Sequence, residues 1–83
     1  MRVVILPAAR RDLDNLGRDM ATRVETTIDR LAEAPRPPGC RMLRDRASRT
    51  WRVRVGDWRI LYDIDESAEV VAVLRVLHRS QAY

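Results

Sequence analysis

The stretch WRVRVGDWRILY, residues 51–62, alternates apolar and charged positions on both sides of a Gly-Asp pair. A period of two marks a half-buried strand, and a two-residue loop that opens on glycine joins two such strands into a hairpin. With Gly56 and Asp57 as the loop, Val55 faces Trp58, Arg54 faces Arg59, Val53 faces Ile60, Arg52 faces Leu61 and Trp51 faces Tyr62. One side of the ribbon then collects Trp51, Val53, Val55, Trp58, Ile60 and Tyr62; the other collects Arg52, Arg54 and Arg59 beside Leu61 and Asp63. A slip of one residue would exchange the two sides, so the apolar set pins the register.

Working outward, residues 2–6 (RVVIL) form a β-branched run closed by Pro7, which predicts a short strand handing over to a helix. Leu13, Leu16, Met20, Val24, Ile28 and Leu31 recur at steps of three or four, the stripe of a helical face, with Gly17 dividing it into two helices and Asp19 capping the second. Residues 33–40 (EAPRPPGC) hold three prolines and a glycine and predict a connector within one domain. Strands are predicted at 50–55, 58–64 and 69–77, the last two joined by the polar DESAE turn. The expected architecture is a single α+β domain over residues 1–83, in the order β-α-α-β-β-β, with a helical hairpin covering one face of an antiparallel sheet.

Eighty-three residues bury only about 60 to 65 percent of the unfolded surface, which suffices for one core. The chain has 16 basic and 12 acidic residues, for a net charge of +4. That balance favours an acidic partner, nucleic acid above all. All the basic residues are arginine, and lysine and phenylalanine are absent. This composition reads as a GC-rich coding bias, so only the positions of the arginines carry an argument.

A single Cys40 excludes an internal disulfide and, with one histidine, leaves no metal-ligand spacing, so neither metal nor cofactor is expected. No window approaches the roughly 20 apolar residues of a membrane span, and the N-terminal apolar run is too short for a signal peptide. A cytoplasmic location is expected.

The directly opposed Arg54 and Arg59 repel one another at a cost of a few tenths of a kcal/mol up to about 1 kcal/mol. Two readings of their face stand. It is either a solvated outer surface on which long side chains splay, or an anion site in which guanidinium forks grip phosphate. Continued alternation in residues 70–83 sets Arg75 and Arg79 on one face, with Tyr83 free to stack on an unpaired base. His78 is the side chain that titrates near neutrality, but the same alternation turns it away from Arg79.

Residues 43–65 (LRDRASRTWRVRVGDWRILYDID), the run VVAVLRVLHR and the closing HRSQAY together resemble the RelE/ParE superfamily of toxins from type II toxin-antitoxin pairs, most closely the RelE-type messenger-RNA endoribonucleases. The resemblance implies metal-independent cleavage of messenger RNA in the ribosomal A site by attack of the ribose 2′-hydroxyl on the adjacent phosphate, and so inhibition of translation. It places Arg59 and Arg79 on the transition-state phosphate, Arg52 and Arg54 on the substrate backbone, and Tyr83 in stacking. It also implies a RelB-like antitoxin in a hetero-oligomer, with ribosome and messenger RNA as partners. Several relatives carry lysine where Arg52 and Arg54 stand, and arginine is a poor base. His78, water or the RNA itself is left for that role. Two other outcomes share the fold: a ParE-like inhibitor of DNA gyrase without enzymatic activity, and a module that only binds its antitoxin.

Overall fold

The computed structural model describes residues 1–43 and 49–81. Its elements are β1 (Arg2–Ile5), α1 (Pro7–Asp14), α2 (Arg18–Arg30), β2 (Arg41–Met42), β3 (Trp51–Val55), β4 (Trp58–Asp65) and β5 (Val70–His78). The α+β class and the helical layer on one sheet face agree with the sequence reading. The hairpin agrees residue for residue, with all five cross-strand pairs as expected. Its turn has positive φ at Gly56 (59°) and not at Asp57, the pattern of a II′ turn whose first central position calls for glycine.

The sheet departs from the expected all-antiparallel arrangement in two ways. Its order is β1-β5-β4-β3-β2, and β1 runs parallel to β5, with Arg2 opposite Val70 and Ile5 opposite Val73. The physical reason is the crossover: β1 leads into the helices, and the meander that follows brings its last strand back beside β1. The second departure is β2, a two-residue strand after the proline connector that extends the sheet beyond β3.

Proline fits the first position of α1 because a helix start leaves its first N–H groups unpaired anyway. The second helix does begin after Gly17, but no side chain caps it. Asp19 lies inside the first turn, where its charge favours the helix dipole, instead of at the capping position expected for it.

Val24, Ile28 and Leu31 of the second helical stripe, with Ala9 and Leu13 of the first, lie fully buried or nearly so against Ile60, Tyr62, Val71, Val73 and Val76. Burial of each large side chain contributes roughly 1.5–3 kcal/mol. Tyr62 is wholly buried, and its hydroxyl donates to the Pro35 carbonyl at 2.7 Å, tying the connector across the core. Burial pushes the Tyr62 phenol well above its ordinary pKa, with Cys40 beside it adding to the effect, so this tyrosine is a structural group. The two tryptophans border the core: Trp51 lies under the Arg36 guanidinium at 5.2 Å, and Trp58 meets His78 edge to face at 5.2 Å. Among the described residues no helix is long and apolar enough to cross a membrane.

One irregularity shapes the far end of the sheet. Between the pairs Tyr62–Val73 and Leu61–Arg75 the ladder skips Leu74, a bulge that reverses which side of β5 faces the helices. Before it Val71 and Val73 are buried; after it Val76 is. Beyond the end of β1, the Val76 N–H donates to the Asp12 carboxylate of α1 at 2.9 Å, so a side chain takes over where strand pairing stops.

Candidate functional site

The face of the sheet opposite the helices is built by alternation alone. Arg52 and Arg54 project from β3, with Arg54 directly opposite Arg59 on β4. Arg41 on β2 stands directly opposite Arg52, so the face contains two like-charged cross-strand pairs. Leu61 adjoins Arg52, and Leu77 adjoins Arg59. Arg41 and Arg54 are exposed, while Arg52 and Arg59 are half-buried.

Two guanidinium nitrogens, Nε of Arg52 and Nη1 of Arg59, are shut off from solvent and have no hydrogen-bond partner among the described residues. An ionised donor left in that state costs free energy that an arriving anion would recover. No acid among the described residues forms a salt bridge with Arg41, Arg52, Arg54 or Arg59. Asp63, on the same side of β4, accepts a hydrogen bond from the Thr50 hydroxyl at 2.7 Å.

Arg79 joins the turn end of this face. Its backbone N–H donates to the Asp57 carbonyl at 2.8 Å, and it continues the alternation from Leu77, the partner of Arg59. Its Nε lies 3.9 Å from the Asp57 carboxylate, with both side chains 65% exposed, so the pair is weak and the guanidinium remains available.

Three other expected site residues remain. Arg75, opposite Leu61, lies on the same side as Leu77 and Arg79, as alternation has it, but Asp12 holds its guanidinium in a two-pronged ion pair, Nε to Oδ2 at 2.7 Å and Nη2 to Oδ1 at 3.1 Å. His78 pairs with Trp58 across the strands and so shares the helix-side face, turned away from Arg79 as the alternation has it. Its Nδ1 accepts the Ser80 N–H at 3.2 Å and lies 2.9 Å from the Ser80 hydroxyl, away from Arg59. Tyr83 lies outside the described residues.

Sequence reasoning missed Arg41 and Asp12. For Arg41 the only signal was its place directly after a Pro-Gly turn; for Asp12 there was none, since its partners are remote in sequence. Among the described residues, no three His, Cys, Asp or Glu side chains gather to hold a metal ion.

Burial by itself would raise the Asp12 pKa, but the Arg75 hydrogen bonds, the Val76 N–H and the charges of Arg75 and Arg11 outweigh it, leaving the carboxyl below its usual value. A depressed folded pKa stabilises the fold above the unfolded value of about 3.9, and that contribution is lost as pH falls through the folded pKa. Asp12→Ala should therefore cost about 1 kcal/mol at pH 7, the half-exposed Arg75 being screened by solvent. Urea denaturation between pH 2 and 7 should show a shallower acid loss in the variant than in the parent; parallel curves would exclude Asp12 as the linked group.

A five-stranded sheet backed by two helices, with Arg41, Arg52, Arg54 and Arg59 on its other face and no acid among the described residues in a salt bridge with them, defines a small α+β domain with a basic sheet face. The sequence profile described as the ParE toxin of type II toxin-antitoxin system, parDE, matches residues 3–83, and the chain belongs to this RelE/ParE family of toxins. It is 40% identical over 76 residues to Toxin RelG of Mycobacterium tuberculosis, covering 90% of this chain and 86% of that protein. Among solved structures it resembles the toxin-antitoxin complex RelBE2 from Mycobacterium tuberculosis, with 33% identity, a TM-score of 0.83 and coverage of 94% of this chain and 96% of that one. It also resembles the archaeal RelE-RelB complex from Pyrococcus horikoshii, with 25% identity, a TM-score of 0.82 and coverage of 98% and 97%. The isolated Escherichia coli RelE toxin, 18% identical with a TM-score of 0.78 and coverage of 93% and 82%, shares the fold.

Proposed function

We propose that this toxin is a metal-independent, ribosome-dependent endoribonuclease that cleaves messenger RNA in the A site, its 83 residues acting as one domain in the cytoplasm. The observation that carries the reading is the set of Arg52, Arg54, Arg59 and Arg79 on one face of the sheet, with donor nitrogens of Arg52 and Arg59 desolvated and without a partner among the described residues. In the reaction the ribose 2′-oxygen forms a bond to the adjacent phosphorus, the bond from phosphorus to the 5′-oxygen breaks, and that oxygen leaves with a proton.

Charge accumulates on the non-bridging phosphate oxygens, where Arg59 and Arg79 serve as fixed donors. Arg52 and Arg54 grip the flanking backbone, and Tyr83 stacks on the nucleotide. None of these arginines can take the 2′-proton at physiological pH. With His78 on the other side of the sheet, alignment and charge stabilisation carry the rate, and water or the RNA accepts the proton.

A RelB-like antitoxin is the proposed partner, in a hetero-oligomer like the solved complexes of similar toxins. Added to a translation reaction, the purified toxin should produce primer-extension stops within codons on ribosomes. Intact messages in the presence of folded toxin would refute the reading. A second reading, ParE-like inhibition of DNA gyrase, is favoured by the lack of a base on the arginine face and by the matching family description. Loss of gyrase supercoiling with messages intact would select it.

A further inference from the structure

The proline connector ends in a tight turn. The Cys40 N–H donates to the Pro37 carbonyl at 3.1 Å, and Gly39 has a φ of 88°, a conformation that glycine adopts without steric cost. The turn delivers the chain into β2 so that Arg41 lands opposite Arg52. Between them lies a shallow depression lined by Pro38, Gly39, Arg41, Arg52 and Arg54.

Two like charges placed in register at a sheet edge weaken the pairing there. Arg41 has no acidic partner among the described residues. Arg41 is separated from Arg59 by two strand spacings and one two-residue step, about 12 Å along the diagonal. A strand of RNA lying across the sheet would therefore present different phosphates to the two arginines.

We infer that Arg41, with Arg52 and the Pro38–Gly39 backbone, forms a second phosphate subsite that holds single-stranded RNA flanking the reacting nucleotide. This rests on the endoribonuclease reading and extends it from the reacting phosphate to the track on which the substrate lies.

The test is fluorescence anisotropy of the full chain with a short 2′-O-methylated oligoribonucleotide, which lacks the attacking hydroxyl and so cannot be cleaved. Losing one phosphate contact to a single strand reduces the slope of log K against log salt by about 0.7, equivalent to about fivefold weaker binding at 0.1 M salt. Arg41→Gln should show that change. Arg30→Gln, the same loss of charge at an exposed position on α2, should bind as the parent does.

Arg41→Glu sets opposite charges across β2 and β3, so it should bind more weakly still while melting no lower than the parent. If Arg41→Gln matches Arg30→Gln while Arg52→Gln and Arg59→Gln weaken binding, the subsite is refuted and the arginine face survives. If none of these variants changes binding, the endoribonuclease reading falls as well. Dependence on Arg41 seen with an acidic peptide but not with the oligonucleotide would also overturn the assignment.

Discussion

Arg59→Ala should lower ribosome-dependent cleavage by about a hundredfold to a thousandfold, the roughly 3–4 kcal/mol lost when one preorganised donor to a developing oxyanion is removed. Arg59 is singled out because it is half-buried between Arg54 and Leu77, with a donor nitrogen out of reach of water. Coulombic attraction to phosphate is stronger in such surroundings than at the exposed Arg54. Arg59→Lys keeps the charge but loses the planar fork, and should fall between parent and alanine. Stability should move little, because relief of the Arg54–Arg59 repulsion offsets the lost packing of the aliphatic stem. Near-normal cleavage by a folded Arg59→Ala toxin, measured by single-turnover primer extension, would remove this residue from the chemistry.

The largest stability effect is expected at Tyr62. Tyr62→Ala empties a fully buried aromatic position on β4 and should cost about 3–5 kcal/mol. At roughly 0.05–0.15 kcal/mol per residue, a domain of this size has only about 4–12 kcal/mol in total. Much of the variant should therefore be unfolded at 37 °C. Tyr62→Phe keeps the ring and leaves the Pro35 carbonyl without its donor, a loss of about 1 kcal/mol. Urea titrations of the three proteins should rank in that order; a Tyr62→Ala protein within about 1 kcal/mol of the parent would mean that the core does not depend on this side chain.

Where local chemistry sets the geometry, the sequence was sufficient. The Gly56–Asp57 turn fixes the hairpin register, and register fixes which side chains share a face, so Arg52, Arg54 and Arg59 could be grouped from spacing alone. The helical stripe was legible for the same reason. What could not be read depends on contacts between distant segments. The run VVAVLRVLH has no glycine or proline to announce the Leu74 bulge, yet that bulge is what puts Arg75 and Leu77 on the side of Leu61 and Arg59 instead of the side of Val71 and Val73. Arg75 looks like its neighbours in sequence until α1 brings Asp12 to it. Arg41 falls in a two-residue strand, too short to show any period.

The parallel pairing of β1 with β5 also governs how this chain can reach its native state. The first strand to leave the ribosome must wait for the last, because Arg2 through Ile5 have their ladder partners at Val70 through Val73. Until β5 arrives, neither β1 nor the inner edge of β4 can be completed, and the helices have only part of their seat. Pairings this distant in sequence make a domain slow to form for its size. A toxin with this topology is therefore unfinished throughout most of its own synthesis, and Arg79, which follows β5, reaches the arginine face only after the sheet beneath it has closed.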